Sequence, residues 1–155
     1  MAIIIKNMED ANMTISQLSV FAENSPGILY QITERIAAAG IDIRAISVSD
    51  TQDFGILRVV VSDAERAKSA LGNGDFVVTV TQVLGIEIPD QPGGLANVLG
   101  LLSENGINVD YIYAFVTISG KSAYVVMRVN DNEKAEQLFE RSGIHMLTQA
   151  EIENF

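Results

Sequence analysis

An α+β fold of two βαββαβ units packed together, each an antiparallel sheet with its helices on one face, follows from three features of the sequence. One long stretch repeats at a fixed offset, each copy passes through strand-period and helix-period apolar patterns in the same order, and a Pro-Gly turn sits at the same place in both. Superposing Pro26 on Pro92, an offset of 66 residues, also superposes Gly27 on Gly93, Leu29 on Leu95, Gly40 on Gly106, Ile41 on Ile107 and Ile46 on Ile112. At an offset of 68, Val61, Asp63, Glu65 and Ala67 fall on Val129, Asp131, Glu133 and Ala135.

Residues 1–14 precede the repeat as a lead-in, with Met13 an alternative start; 15–82 form unit one, 83–148 unit two and 149–155 a tail. Leu18, Val20 and Ala22, like Leu84, Ile86 and Ile88, alternate with the period of a first strand. Pro26 and Pro92 suit a first helical position. Ile28, Leu29, Ile32, Ile36 and Ala39, matched by Leu95, Val98, Leu99 and Leu102, then recur at helical spacing, and Gly40 and Gly106 are expected to close those helices in the left-handed conformation. Two β-rich runs follow in each unit, IDIRAISVSD and ILRVVVS, then INVDYIYAFV and SAYVVMRVN, with turns at Gln52–Gly55 and Ser119–Lys121. Ser62 with Glu65, and Asn130 with Glu133, have capping-box spacing for helices at 63–72 and 131–142. Last strands are expected near 75–82 and 144–148, and FVVTVTQVLGIEIP runs from one unit into the next with no flexible linker. This order is the ferredoxin-like arrangement.

The bulk properties exclude several classes. Apolar residues make up 48% of the 155, enough for a packed core. A net charge of -10 disfavours nucleic acid and anionic membrane as partners. With no cysteine there is no disulfide or thiolate metal site, and neither a metal nor a cofactor is expected. No apolar run has the length of a signal-peptide core or membrane span, so the expected location is the cytoplasm. His145 is the single imidazole and lacks a serine in a sharp strand-to-helix turn, so no catalytic residue is assigned and the chain reads as no enzyme.

Residues 107–118 are apolar at both parities: Val109, Tyr111, Tyr113 and Phe115 on one side, Ile112, Ala114, Val116 and Ile118 on the other. Helices cover one side of a sheet, so the other needs a further layer. A homodimer supplies one; the tail Thr148–Phe155 is the alternative cover.

A helix start presents unpaired N–H groups and partial positive charge, which holds a carboxylate without a basic side chain. Gly27, Gly93 and Gly94 remove Cβ atoms that would keep a ligand from that backbone. Asn24, Asp90 and Gln91 offer groups to receive an ammonium or orient a ligand. Together these suit an α-amino acid. Pro-Gly is also an ordinary turn and helix opener, and that plain reading stays open.

The run LSVFAENSPGILYQITERIAAAGIDIRAISV, followed by VLGIEIPDQPGGLANVLGLLSENGINVDYIYAFV, resembles a tandem ACT domain over about residues 16–148, specifically a small free-standing two-ACT protein. The resemblance implies an allosteric regulatory module that binds a free amino acid or similar small metabolite at interfaces between ACT units, near the first turn and the start of the second strand. The ligand-binding residues it implies are Asn24, Ser25, Gly27, Ile28 and Leu29 in unit one and Asp90, Gln91, Gly93, Gly94 and Leu95 in unit two. Asp42 and Asn108, after the Gly-Ile elements, complete them. The units differ at these positions, so equal binding is not expected. The competing reading is a non-catalytic interaction subunit, without a ligand of its own, that docks on a metabolic enzyme or regulator.

Overall fold

A computed structural model of the chain describes residues 13–50, 53–72, 76–116 and 122–155. The lead-in up to Asn12, Gln52 of the first hairpin, Asp75, and Ile118 with the Ser119–Lys121 turn lie outside the described residues. The elements are β1 (Ile15–Glu23), α1 (Ile28–Ala38), β2 (Ile43–Asp50), β3 (Phe54–Val61), α2 (Ala64–Leu71) and β4 (Val77–Pro89), then α3 (Gly94–Glu104), β5 (Val109–Ala114), β6 (Ser122–Val129), α4 (Asn132–Arg141) and α5 (Gln149–Glu153). The sheet order is β2-β3-β1-β4-β6-β5, antiparallel throughout.

The linkerless segment between units becomes one continuous strand of 13 residues. The first half of β4, Val77–Val83, pairs with β1, and its second half, Leu84–Pro89, pairs with β6. The last strand expected at 144–148 shrinks to a single bridge between Ile86 and Met146. Leu147 N–H donates to the Gly85 carbonyl at 2.8 Å and Glu87 N–H to the His145 carbonyl at 3.0 Å. The reason is competition for an edge: β1 holds that side of β4 as far as Val83, and only the short remainder is free.

Two further expectations shift by a residue or more. Gly27 and Gly93 cap α1 and α3, so Pro26 and Pro92 stand one place outside the helix rather than at its first position. Asp63 and Asp131, not Ser62 and Asn130, cap α2 and α4 through the amides of Arg66 at 3.1 Å and Lys134 at 3.0 Å. Ser62 and Asn130 instead accept the amides of Asp42 (2.9 Å) and Asn108 (3.0 Å), stapling the starts of β2 and β5 to the ends of β3 and β6. Gly40 and Gly106 are left-handed, at φ 73° and 68°, as expected.

Each unit has its own helix-side core. Ile32 and Ile36 of α1 meet Leu18, Val20, Leu57 and Val59 in unit one; Val98, Leu102, Leu138 and Phe139 meet Leu84, Ile86 and Met127 in unit two. A third cluster lies on the opposite side of the sheet, where Ile15, Val60 and Val83 meet Phe115, Val126 and Leu147. The sheet therefore curls until its outer strands meet: Ala45 bridges to Phe115, and Val116 N–H donates to the Arg44 carbonyl at 2.8 Å. Much of the side of the sheet left bare by the helices is covered within the chain, by the other unit and by the tail. Ile152 of α5 is fully buried, and the Phe155 ring meets Phe115 and Tyr124 edge-on at 6.1 and 5.8 Å. Register shifts at Ile43/Ala45 and Val109/Tyr111 break the simple alternation, so that Ile43 with Ile46, and Val109 with Ile112, face the helices.

A polar knot joins the two units behind that cluster. Gln17, fully buried on β1, donates to the Tyr111 hydroxyl at 2.7 Å and to Ser19 Oγ at 3.3 Å, and accepts from the Tyr113 hydroxyl at 2.6 Å. The Arg58 guanidinium lies 3.9 Å above the Tyr111 ring. Burial pushes the Tyr113 hydroxyl well above the usual phenol range, so it remains a donor.

Replacing Gln17 by Leu should leave both tyrosine hydroxyls without their partner and cost about 1–3 kcal/mol, measured by urea denaturation. Adding Tyr111→Phe and Tyr113→Phe should recover much of that loss, because of the three hydroxyls that Gln17 binds only that of Ser19 is then stranded. The tail should respond to acid. Burial would raise the Glu151 carboxyl, but the Thr148 amide and the His145 ring, 3.0 Å away, hold it below its usual value. A depressed carboxyl contributes stability above its unfolded pKa and loses it as pH falls through the folded one. The protection factors of the α5 amides, corrected for the intrinsic pH dependence of exchange, should therefore fall as the solution is acidified through the range in which Glu151 takes up its proton.

Candidate functional site

The two Pro-Gly turns fold alike. In unit one β1 ends at Glu23, Ser25 N–H donates to the Glu23 carbonyl at 3.0 Å, and Gly27 turns the chain at φ 88° before Gln31 N–H donates to its carbonyl at 3.0 Å. In unit two Gln91 N–H donates to the Pro89 carbonyl at 2.9 Å, Gly93 turns at φ 88°, and Asn97 N–H closes the first helical bond at 2.9 Å. Both helices open on a glycine, which has no side chain to cap the first turn, and neither has an acidic residue there. First-turn amides without a side-chain cap keep their partial positive charge for a ligand or solvent.

In unit one that helix start opens on a cleft of about 370 Å³, counted out to its mouth. Its walls and floor are hydrocarbon: Val20, Ile28, Leu29, Ile32, Val48 and Leu57. Its polar rim is Glu23, Asn24, Ser25 and Asp50. Four of the sequence-derived residues, Asn24, Ser25, Ile28 and Leu29, thus share one cavity. A Cβ on Gly27 would meet nothing within 4 Å, so the turn is open as well as left-handed.

Glu23, Val48, Asp50 and Gly55 were not legible as site residues. They reach the cleft because Glu23 pairs with Phe54 and Asp50 with Gly55, which folds the far end of β2 and the start of β3 back beside α1.

Unit two differs. Asp90, Gln91, Gly93 and Leu95 are exposed, and Gly93 has the same open surroundings as Gly27. Gly94 was expected to leave room for a ligand; instead a Cβ there would lie 2.2 Å from the Pro89 carbonyl oxygen, so this glycine serves the chain's own close approach. A groove lined by Glu87, Pro89, Val98, Ser122 and Gly143–His145 runs beside the turn without including Asp90–Gly93. Within it the Ser122 hydroxyl donates to the Glu87 carboxylate.

Asp42 and Asn108 stand apart from the turns of their own units. Each begins a strand at the end of the sheet opposite its turn, since Ile43 pairs with Val61 whereas Glu23 pairs with Phe54. Through the Arg44–Val116 hydrogen bond the start of β2 lies on the end of the molecule that carries the unit-two turn. The Asp42 carboxylate is engaged there, 2.9 Å from Arg44 Nη1, and Asn108 Nδ2 donates to Asp110 at 3.0 Å. Among the described residues no group of three or more His, Asp or Glu is placed to hold a metal ion, and no helix is long and apolar enough to cross a membrane.

The family described as ACT domain pair matches residues 13–154. Among solved structures, protein BT0572 from Bacteroides thetaiotaomicron is 35% identical with a TM-score of 0.86, covering 94% of this chain and 99% of that one. The ligand-free regulatory subunit of aspartate kinase from Thermus thermophilus is 16% identical at a TM-score of 0.62, covering 84% and 93%. Its counterpart from Thermus flavus is 17% identical at 0.57, covering 85% and 94%. At those identities the last two are likenesses of fold. No curated protein matches the chain.

The glycines make a graded prediction. Gly93→Ala keeps an open site but forces a side chain onto a left-handed backbone, at a cost of about 1–2 kcal/mol. Gly94→Ala should cost more, because the new methyl meets a carbonyl oxygen and the backbone itself has to move. Urea midpoints of the two variants check the order.

Proposed function

The chain belongs to the ACT domain pair family, and from that membership we propose that it is a small-molecule-binding regulatory protein that senses a free α-amino acid at the Pro-Gly turn of unit one. The observation that carries this reading is the meeting of an uncapped helix start with a cavity whose rim bears carboxylates. A ligand carboxylate is held by the first-turn amides of α1, and its ammonium by Glu23 and Asp50, with Asn24 and Ser25 orienting it. The corresponding turn of unit two, Asp90–Leu95, with Asp42 nearby on β2, keeps the uncapped helix start, but the groove beside it does not include Asp90–Gly93, and it is the weaker candidate.

None of this is catalysis. Binding regulates only where the ligand prefers one arrangement of the protein over another, and the continuous β4 offers the means. Ordering the turn after β1 bears on a strand that unit two shares. The regulated party is then a second copy or a metabolic enzyme.

One feature favours the second reading, an interaction subunit without its own ligand. Phe21, Ile56 and Val77 stand side by side across β3, β1 and β4 on the side away from the helices, with Phe54 beside them. Phe21, Phe54 and Val77 are 38, 58 and 65% exposed. An apolar row of that kind suits a protein partner.

A thermal-shift panel of the common amino acids separates the two. Ligand at a hundred times its Kd stabilises by about 2.7 kcal/mol, a rise in Tm of roughly 5–10 °C for a chain of this length. Such a rise with at least one amino acid is the expected outcome. A flat panel together with a stably co-purifying protein would instead establish the interaction subunit.

A further inference from the structure

Resting on the amino-acid-sensing reading above, we infer that the unit-one cleft selects an aliphatic α-amino acid and that it is the single such site among the described residues. The floor of the cleft is hydrocarbon, formed by Val20, Ile32 and Leu57, and among the described residues no lysine, arginine or histidine lines it. A side-chain carboxylate entering there meets no partner and faces Glu23 and Asp50 besides. A second ammonium would have to shed its water against the apolar floor.

The rim matches the remainder of such a ligand. Neither Glu23 nor Asp50 has an ion-pair or side-chain hydrogen-bond partner among the described residues, so both are available to one ammonium.

The internal repeat supplies the control. At the equivalent positions unit two has Ile88 for Ala22 and Ala123 for Gly55, which fills the space, and Ile88 is buried. It has Pro89 for Glu23 and Val116 for Asp50, which removes both carboxylates. Gly94 stands for Ile28, with the carbonyl of Pro89 against it. The second copy keeps the turn backbone and an apolar floor, Ile86, Val98 and Val125, and has Asp90 for Asn24, but the space beside that floor is filled and the carboxylates at the Glu23 and Asp50 positions are gone.

Calorimetric titration of the full chain with L-valine, L-leucine, L-aspartate and L-lysine tests this. The expected result is one equivalent of valine or leucine bound, with aspartate and lysine at least about ten-fold weaker. Ala22→Ile, which imports the unit-two residue, should weaken the aliphatic ligand at least ten-fold. Asp50→Asn lies on the surface, where folding does not depend on it, and should weaken it too, with an unchanged circular dichroism spectrum. Binding of aspartate or lysine as tight as that of leucine, two equivalents per chain, or unaltered affinity in both variants overturns the inference and leaves amino-acid sensing standing. Failure of every common amino acid to bind removes both.

Discussion

A sheet with helices on one side only leaves its other side to be covered, and that requirement organises the whole chain. Each unit alone presents Ile15, Val60 and Val83, or Phe115, Val126 and Leu147, to water. Running the last strand of unit one straight into the first of unit two makes β4 common to both sheets. The right-handed twist of the strands then brings β2 round to β5, so the two bare sides close on each other. The Gln17–Tyr111–Tyr113 hydrogen bonds lie where that closure traps polar atoms, and every one of those atoms finds a partner inside.

Duplication in such a fold yields two copies of the same backbone device in surroundings that are not the same. The turns at Gly27 and Gly93 share their left-handed conformation and lack of a side-chain cap. What surrounds them has diverged: Ala22, Glu23, Asp50 and Gly55 at the first are Ile88, Pro89, Val116 and Ala123 at the second. The tail adds a further difference. Phe155 and Ile152 lie against unit two and the interior, while the matching row in unit one, Phe21, Ile56 and Val77, stays open. Unequal roles for the two units follow from chemistry even though the backbones agree.

Much of the fold was readable because the local signals agreed with one another. Alternation placed β1, helical spacing placed α1 and α3, and Gly40 and Gly106 ended those helices as left-handed residues. Errors arose where two neighbouring residues compete for one role. Ser62 and Asp63 both carry capping oxygens, and which one caps α2 depends on whether the amide of Asp42 claims the other. Strict alternation in β5 failed for a related reason, since a bulge in the pairing with β6 is invisible to the period of a single strand.

The sequence by itself determined the repeat, the order of elements, the two Pro-Gly turns that lead into helices, and a third of the cleft: Asn24, Ser25, Ile28 and Leu29. These are local properties, set by spacing, φ preference and the chemistry of adjacent residues. Only the tertiary structure decided that β4 is one strand, that the tail and the partner sheet cover the bare side, that Gly94 serves its own chain, and that Asp50 and Val48 complete the cleft. Those outcomes depend on which edges and faces are already occupied when distant segments meet, and pairing across a sheet leaves no periodic trace in either strand alone.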